Sequence, residues 1–436
     1  MQTVKIGLLG CGTVGSGVVR LLTEKAAEYA RRSGYRLELA KILVRDLERN
    51  RPEGIDPELL TTDPSEILED EEIQIVVEVM GGIDPAREYL LQAIGAGKHV
   101  VTANKALIAR HGQELFEAAS ENEVSVYIEA SVAGGLPIIQ TLKRSLVANQ
   151  LLSLHGIING TTNYILSAMT DEGREFQEVL AEAQAKGYAE ADPTDDIEGY
   201  DAVYKLAILS SLVFEQRIPL KQIHRVGISR IASQDIAYAK QFGYVIKLLA
   251  IAKQENGHFQ ARVSPTMIPV DHPLASVNGV YNAILIKGDA AGDIMFYGQG
   301  AGSMPTASAV VSDIINIATE LENPPNTLMA CNHLGDPVNL GPPDSVVNRY
   351  YVRVLTEDKS GVLGQIGTLL GKEDISVHTL LQRKADPGNA ELVFITHPVS
   401  DQKLRQAIAQ IRQLETTQET YSIIRVEDFS GEIAEL

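Results

Sequence analysis

The sequence predicts an α/β protein: a doubly wound parallel sheet, an α+β region inserted into it, and a smaller βαββαβ domain at the C-terminus. Three observations predict it. The apolar run Val4–Leu9 leads directly into Gly10-Cys11-Gly12-Thr13-Val14-Gly15, and then into Val18, Val19, Leu21 and Leu22 at helical spacing. Apolar strands and amphipathic helices alternate to about residue 130, which calls for parallel strands joined by right-handed crossovers. From residue 348 onward the periodicity reads strand, helix, strand, strand, helix, strand.

The glycine loop is the first informative element. GxGxxG alone is weak, but strand, loop and helix in that order give it meaning. Gly10 and Gly12 let the backbone turn tightly and approach a pyrophosphate, and the helix that opens through Thr13, Val14 and Gly15 offers unpaired N–H groups and a positive dipole end. This is a Rossmann-type arrangement. The second strand, about Leu37–Val44, ends at Arg45 and not at an acidic residue. A guanidinium there pairs with a 2′-phosphate, which favours NADP(H), while Asp46 next to it leaves NAD(H) open. Ile73–Met80 and His99–Thr102 read as further buried strands, with Asp84-Pro85 opening a helix between them, and a strand Val124–Ala130 closes a dinucleotide-binding domain over residues 1–130.

That strand runs into Glu129-Ala-Ser-Val-Ala-Gly-Gly-Leu136-Pro137, a glycine-rich turn that exposes backbone carbonyls. It reads either as a site for a cation that prefers hard oxygen ligands or as a domain hinge. Residues 131–300 mix long helices with a β-rich stretch, roughly Gln260–Tyr297, and read as a substrate and dimerisation domain. A helix over Ala301–Thr319 returns to the nucleotide domain, about 301–322. Prolines 324, 325, 337, 342 and 343 mark residues 323–347 as a linker to a final domain, 348–436.

Composition narrows the function classes. At 44% hydrophobic and 22% charged the 436 residues can bury sizeable cores, and a length prior gives about three domains of roughly 150 residues. A formal net charge of −19 argues against nucleic acid or an anionic membrane as partner. No apolar window long enough for a membrane span or signal segment is present, so a cytoplasmic protein is expected. Cys11 and Cys331 are expected as free thiols, and the nine histidines show no HxH or HExxH spacing, which argues against a transition-metal enzyme.

The densest chemistry lies in Gly187–Lys205, GYAEADPTDDIEGYDAVYK. Glu190, Asp192, Asp195, Asp196 and Glu198 crowd one short segment, a like-charge density that a cationic ligand would relieve. Asp192-Pro193 reads as the N-cap and first residue of a helix whose buried stripe is Ala202, Leu206, Leu209 and Val213. Asp201 and Lys205 then share the neighbouring face, one turn apart, and can reach one small molecule. In isolation they would be an i,i+4 ion pair worth about 0.3–0.5 kcal/mol.

Ala183, Gly187, Tyr188, Ala189, Asp192, Pro193, Asp196, Ile197, Gly199, Asp201 and Lys205 together resemble the homoserine dehydrogenase signature and fill every fixed position of it. The resemblance implies reversible reduction of L-aspartate 4-semialdehyde to L-homoserine by hydride from a nicotinamide, within threonine, methionine and isoleucine biosynthesis. It implies Lys205 as proton donor, with Lys105 able to share that role, and Glu190, Asp201, Asp196 and Thr161 as substrate contacts. Thr102, Lys105, Gly187 and Gly302 join Gly10, Gly12, Thr13, Val14, Gly15 and Arg45 against the cofactor. Glu129 and the carbonyls of Val132, Gly134 and Leu136 resemble the family's sodium loop.

The last domain, with Asp358-Lys-Ser-Gly361-Val-Leu363 in its first loop and Ile375-Ser-Val-His-Thr after its first helix, resembles an ACT domain on a ferredoxin-like fold. That resemblance implies a small amino-acid effector, with threonine as the candidate, and a homo-oligomer, dimer or tetramer.

Overall fold

The computed structural model describes residues 1–51, 54–255, 258–321, 340, 346–427 and 429. They fall into two compact units, one of Met1–Gly160, Asp201–Ile223 and Tyr281–Val338, the other of Thr161–Tyr200, His224–Val280 and Asn339–Leu436.

The first unit is built on a six-stranded sheet in the order Leu60–Thr61, Arg36–Leu43, Thr3–Leu9, Ile73–Glu78, His99–Thr102, Val126–Tyr127, parallel throughout. Its strands are apolar because both faces are covered: Ile6, Leu8, Ile75 and Val77 are fully buried. The helix Thr13–Glu24 buries Val18, Leu21 and Leu22 in that core, and the helix Ser303–Glu320 adds Val310, Ile314 and Ile317. Gly17 permits their close crossing, since a Cβ there would lie 2.9 Å from both Ala307 Cβ and Ser303 Oγ. A three-stranded antiparallel ladder, Leu151–Ile157, Tyr281–Gly288 and Gly292–Gln299, belongs to the same unit.

In the second unit Val347–Glu357, Val377–Lys384, Asn389–Thr396 and Thr417–Val426 pair antiparallel, with helices Val362–Lys372 and Asp401–Ile411 laid over one face. This is the βαββαβ module. Gly361 caps its first helix at φ 92°, a left-handed conformation, and a Cβ there would meet no atom within 4 Å. Backbone conformation, not crowding, is therefore what requires glycine.

The structure corrects several expectations. The strand expected over Val124–Ala130 is only Val126–Tyr127, and Glu129–Ser131 is a 3₁₀ turn. Asp192-Pro193 does not start the helix of Lys205. Thr194–Ile197 forms one short turn, Gly199 breaks it at φ 80°, and a separate helix runs Tyr200–Val213. The β-rich stretch begins earlier than expected, with Tyr244–Glu255 paired along its whole length to His258–Pro269. The final module is also not joined through a linker alone. Its last strand pairs in parallel with His258–Pro269 at Thr266–Arg425 and Met267–Val426, and fully buried Asp235 accepts hydrogen bonds from Arg353 (2.7 Å), Tyr351 (3.0 Å) and Ser422 (2.6 Å). Residues 323–347 lie almost wholly outside the described residues, as does Cys331.

Candidate active site

Asp201 is the hub of a buried polar cluster in the first unit. It sits in the first turn of Tyr200–Val213, a helix buried on nearly every side. Lys205 Nζ, one turn on, donates to Asp201 Oδ2 at 2.8 Å and to the carbonyl of Ile158 at 2.8 Å. Asn159 Nδ2 donates to the same Oδ2 at 2.8 Å, and Lys105 Nζ lies 2.8 Å from Oδ1. Burial pushes the Asp201 carboxyl up, but Lys205, Lys105 and the Asn159 amide outweigh it and hold the group well below the usual carboxylate range. One anion thus fixes two ammonium groups. The Lys205 side chain is 11% exposed and that of Lys105 is 40% exposed, so one lysine is locked by the interior and the other faces outward.

Lys105 is positioned by the end of a parallel strand. Asn104 caps its helix, with Oδ1 accepting from Leu107 N at 3.1 Å and Nδ2 donating to the Gly82 carbonyl at 2.6 Å. The Thr102 hydroxyl donates to Glu78 Oε2 at 2.6 Å, and Glu78 Oε1 accepts from Met80 N and Gly81 N at 2.8 and 3.1 Å. Glu78 is fully buried, and burial pushes its carboxyl up. It ties the loop after one strand to the end of the next. The sequence reading missed it, because a single acid within an apolar strand carries no spacing signal.

The glycine loop has the geometry a dinucleotide needs. Gly10 is at φ 104°, and a Cβ on Gly15 would lie 2.2 Å from the Gly10 carbonyl oxygen, so only glycine closes the turn. Gly12 N-caps Thr13–Glu24 with no side-chain cap, and its missing Cβ points into open space that any side chain would occupy. A cavity of about 520 Å³ adjoins the loop, lined by Gly10, Gly12, Arg45, Arg49, Arg51 and Met80 among others. Asp46 is also on the wall, with Oδ1 accepting from Glu48 N at 2.9 Å, so three arginines and one acid are the charged groups lining the cavity. Arg49 and Arg51 were not singled out by the sequence. Gly302 opens the helix Ser303–Glu320 at φ 119°, and Ser303 Oγ donates to the Thr13 carbonyl at 2.6 Å.

Glu129 is 4% exposed, and its carboxylate accepts from Ile139 N at 2.8 Å and Gln140 N at 2.7 Å. Asp313 accepts from Glu129 N at 2.9 Å and from Gln140 Nε2 at 2.8 Å. Burial pushes both carboxyls up, and Glu129 pushes Asp313 further. Ala133 and Gly134 follow at φ 53° and 47°, turning the chain through Val132–Leu136. Two buried acids whose charge Arg144 offsets only in part, beside a turn of backbone carbonyls, fit a monovalent cation chemically, although each Glu129 oxygen already holds one N–H. Among the described residues no group of three or more His, Cys, Asp or Glu could hold a metal ion.

The remaining predicted residues lie in the second unit. Thr161 Oγ1 donates to the Tyr188 carbonyl at 2.7 Å, and Gly187, at φ 73°, ends the helix Phe176–Ala185. Glu190 is exposed, with its carbonyl held by Gln184 Nε2 at 3.1 Å. Asp196 is half-buried in the short turn Thr194–Ile197.

A parallel sheet, a glycine loop shaped for a dinucleotide and a lysine–aspartate cluster at a helix start define an NAD(P)-dependent oxidoreductase. The comparisons narrow this. The family models for homoserine dehydrogenase, its NAD binding domain and the ACT domain match residues 137–315, 10–129 and 350–416. A homoserine dehydrogenase of Synechocystis sp. is 49% identical over 98% of this chain and 100% of its own length, and one of Pseudomonas aeruginosa is 43% identical over 99% and 100%. The crystal structure of a homoserine dehydrogenase from Thiobacillus denitrificans matches with TM-score 0.93 at 42% identity, covering 98% of this chain and 99% of that one. A hyperthermophilic archaeal homoserine dehydrogenase in complex with NADPH matches at TM-score 0.63 and 30% identity, covering 74% and 99%. The chain belongs to the homoserine dehydrogenase family, in the form that carries a C-terminal ACT domain.

Proposed function

We propose that the chain catalyses the reversible, NADPH-dependent reduction of L-aspartate 4-semialdehyde to L-homoserine, in the route to threonine, methionine and isoleucine. The observation that carries this reading is the shared carboxylate: Asp201 holds Lys205 and Lys105 at 2.8 Å each. When bound, the nicotinamide supplies the hydride. The aldehyde oxygen then carries alkoxide charge and needs a proton, which Lys205 donates while Asp201 keeps its ammonium group oriented. Lys105, on the other oxygen of Asp201, stabilises the same charge and can share the proton.

Glu190 pairs with the substrate α-ammonium, with Asp196 and Thr161 lining the same molecule. Gly10–Gly15, Thr102, Gly187 and Gly302 contact the cofactor. Arg45 takes the 2′-phosphate, a reading supported by its place on the cavity wall beside Arg49 and Arg51. Sodium bound by Glu129 and the carbonyls of Val132, Gly134 and Leu136 would compensate the Glu129–Asp313 acid pair. We assign residues 1–130 with about 301–322 to cofactor binding, 131–300 to substrate binding and dimerisation, and 348–436 to regulation. The enzyme acts in the cytoplasm as a homodimer or tetramer, with threonine as feedback effector at the ACT domain. Oxidation of homoserine, followed with NADP and with NAD and with and without threonine, tests the reading. No nicotinamide reduction with either cofactor would overturn it.

A further inference from the structure

We propose that the chain carries a second anion site, for a small oxyanion, between its last strand, Thr417–Val426, and the segment Val226–Ile231. A cavity of about 220 Å³ lies there. Its wall carries three guanidinium groups, Arg230, Arg412 and Arg425, and no carboxylate. In a chain of net charge −19 that is a local inversion of sign.

The site is built, not a loose surface cluster. Arg425 is 9% exposed, and its Nη2 donates to Asp401 Oδ1 at 3.1 Å, whereas its Nε is buried with no hydrogen-bond partner. Thr420 Oγ1, on the same wall, is also buried without a partner. A buried donor left unmade is costly, so the strand side of the cavity carries unmet hydrogen-bonding capacity. The opposite wall is anchored: Val226 N donates to the Val263 carbonyl and Ile228 N to the Ile197 carbonyl, both at 2.8 Å. At Gly227 a Cβ would lie 2.5 Å from the Ile197 carbonyl oxygen, so this turn is packed closely against Ile197. Glu198 lies against that turn, its Oε2 2.8 Å from a Cβ placed on Gly227, and Arg225 at 3.8 Å offsets its charge.

The surrounding charge agrees with this geometry. His224, two residues before the segment, is pushed down to about 4 by burial and then by Arg425, with Arg405 and Arg262 adding to the effect against the opposing pull of Asp401. The cavity is smaller than the roughly 300–1,000 Å³ that drug-sized ligands occupy. It is too small for a nucleotide and suits a phosphate ion or a short carboxylate, with Ile231 and Pro265 as an apolar flank. Planar guanidinium forks match both oxyanions. A bound anion would bridge Arg412 and Arg425 of the ACT domain to Arg230, and so tie that domain to the segment preceding Ser233–Gln241.

Calorimetric titration of the full-length enzyme with inorganic phosphate, and separately with malonate, at constant ionic strength in chloride tests the site. Saturable binding of one or both is expected, the tighter anion naming the source. Arg230 and Arg412 are exposed, so Arg230→Ala/Arg412→Ala should fold normally and bind at least about tenfold more weakly, the loss of roughly one charge-assisted hydrogen bond. Arg412→Gln alone should give an intermediate affinity. Two results would overturn the proposal: no saturable heat with either anion at about 10 mM, well above a millimolar dissociation constant, or saturable binding unchanged in these variants, which would move the anion to the cavity of Arg45.

Discussion

Asp201 and Lys205 stand one helical turn apart with Oδ2 and Nζ at 2.8 Å, and the other oxygen of Asp201 is held at the same distance by Lys105. An exposed i,i+4 pair would contribute little. Here the carboxylate is 6% exposed and flanked by two ammonium groups, so its charge is indispensable to both. Removing it leaves Lys205 buried beside the Ile158 carbonyl with no anion.

Asp201→Asn should therefore destabilise the protein by about 3–5 kcal/mol, the usual cost of orphaning a buried charge, and reduce turnover. The pH dependence has a definite sign. Because the folded carboxyl is held below its unfolded value of about 3.9, its contribution is fully present above that pH and is lost as pH falls toward the folded value. Denaturant midpoints of wild type and variant should converge on acidification. A difference that stays constant down to the most acidic folded condition would show that Asp201 is not ionised in the pair.

Arg45→Ala should weaken NADPH by roughly tenfold or more while leaving NADH nearly unchanged, as expected for one charge-assisted contact to a 2′-phosphate. Fluorescence titration with both cofactors measures this. Equal weakening would make Arg45 a general wall of the cavity.

Asp235 is fully buried and accepts from Arg353, Tyr351 and Ser422. Asp235→Ala should cost about 3 kcal/mol, because Arg353 keeps only Glu391 at 2.9 Å as anionic partner. The double variant Asp235→Leu/Arg353→Met should cost less than the sum of the single changes. Additive losses would mean the two do not act as a pair.

Threonine should inhibit the intact enzyme, and Gly361→Ala should weaken that inhibition without lowering uninhibited turnover. The substitution meets no atom within 4 Å, so its effect comes from forcing φ 92° on a residue with a Cβ at the helix start, where an effector carboxylate would take N–H groups. Inhibition unchanged in the variant would place threonine at the substrate pocket.

Much of this was legible because it is local. The glycine loop, the Asp201–Lys205 spacing and the βαββαβ order are all set by residues close in sequence. The helix break at Gly199 was hidden because Ala202, Leu206 and Leu209 keep a helical period that the eye extends backward to Pro193. Tyr244–Glu255 was missed because consecutive residues from Ile246 to Ala252 are buried, so both faces are covered and alternation is erased. Glu78, Asn159 as a ligand of Asp201, and the Asp235–Arg353 pair depend on residues brought together from distant segments, and no spacing rule encodes them.

The role of Lys205 is tested most directly by homoserine oxidation, followed as nicotinamide reduction with NADP in wild type and Lys205→Ala. The wild-type enzyme should reduce the cofactor. Loss of the proton-transfer group should slow the variant by about 10²–10⁴-fold, with NADPH affinity nearly unchanged, since Lys205 donates to Asp201 and Ile158 in the polar cluster and does not line the cavity of Arg45. Near-normal turnover in Lys205→Ala would contradict the account and move the proton to Lys105.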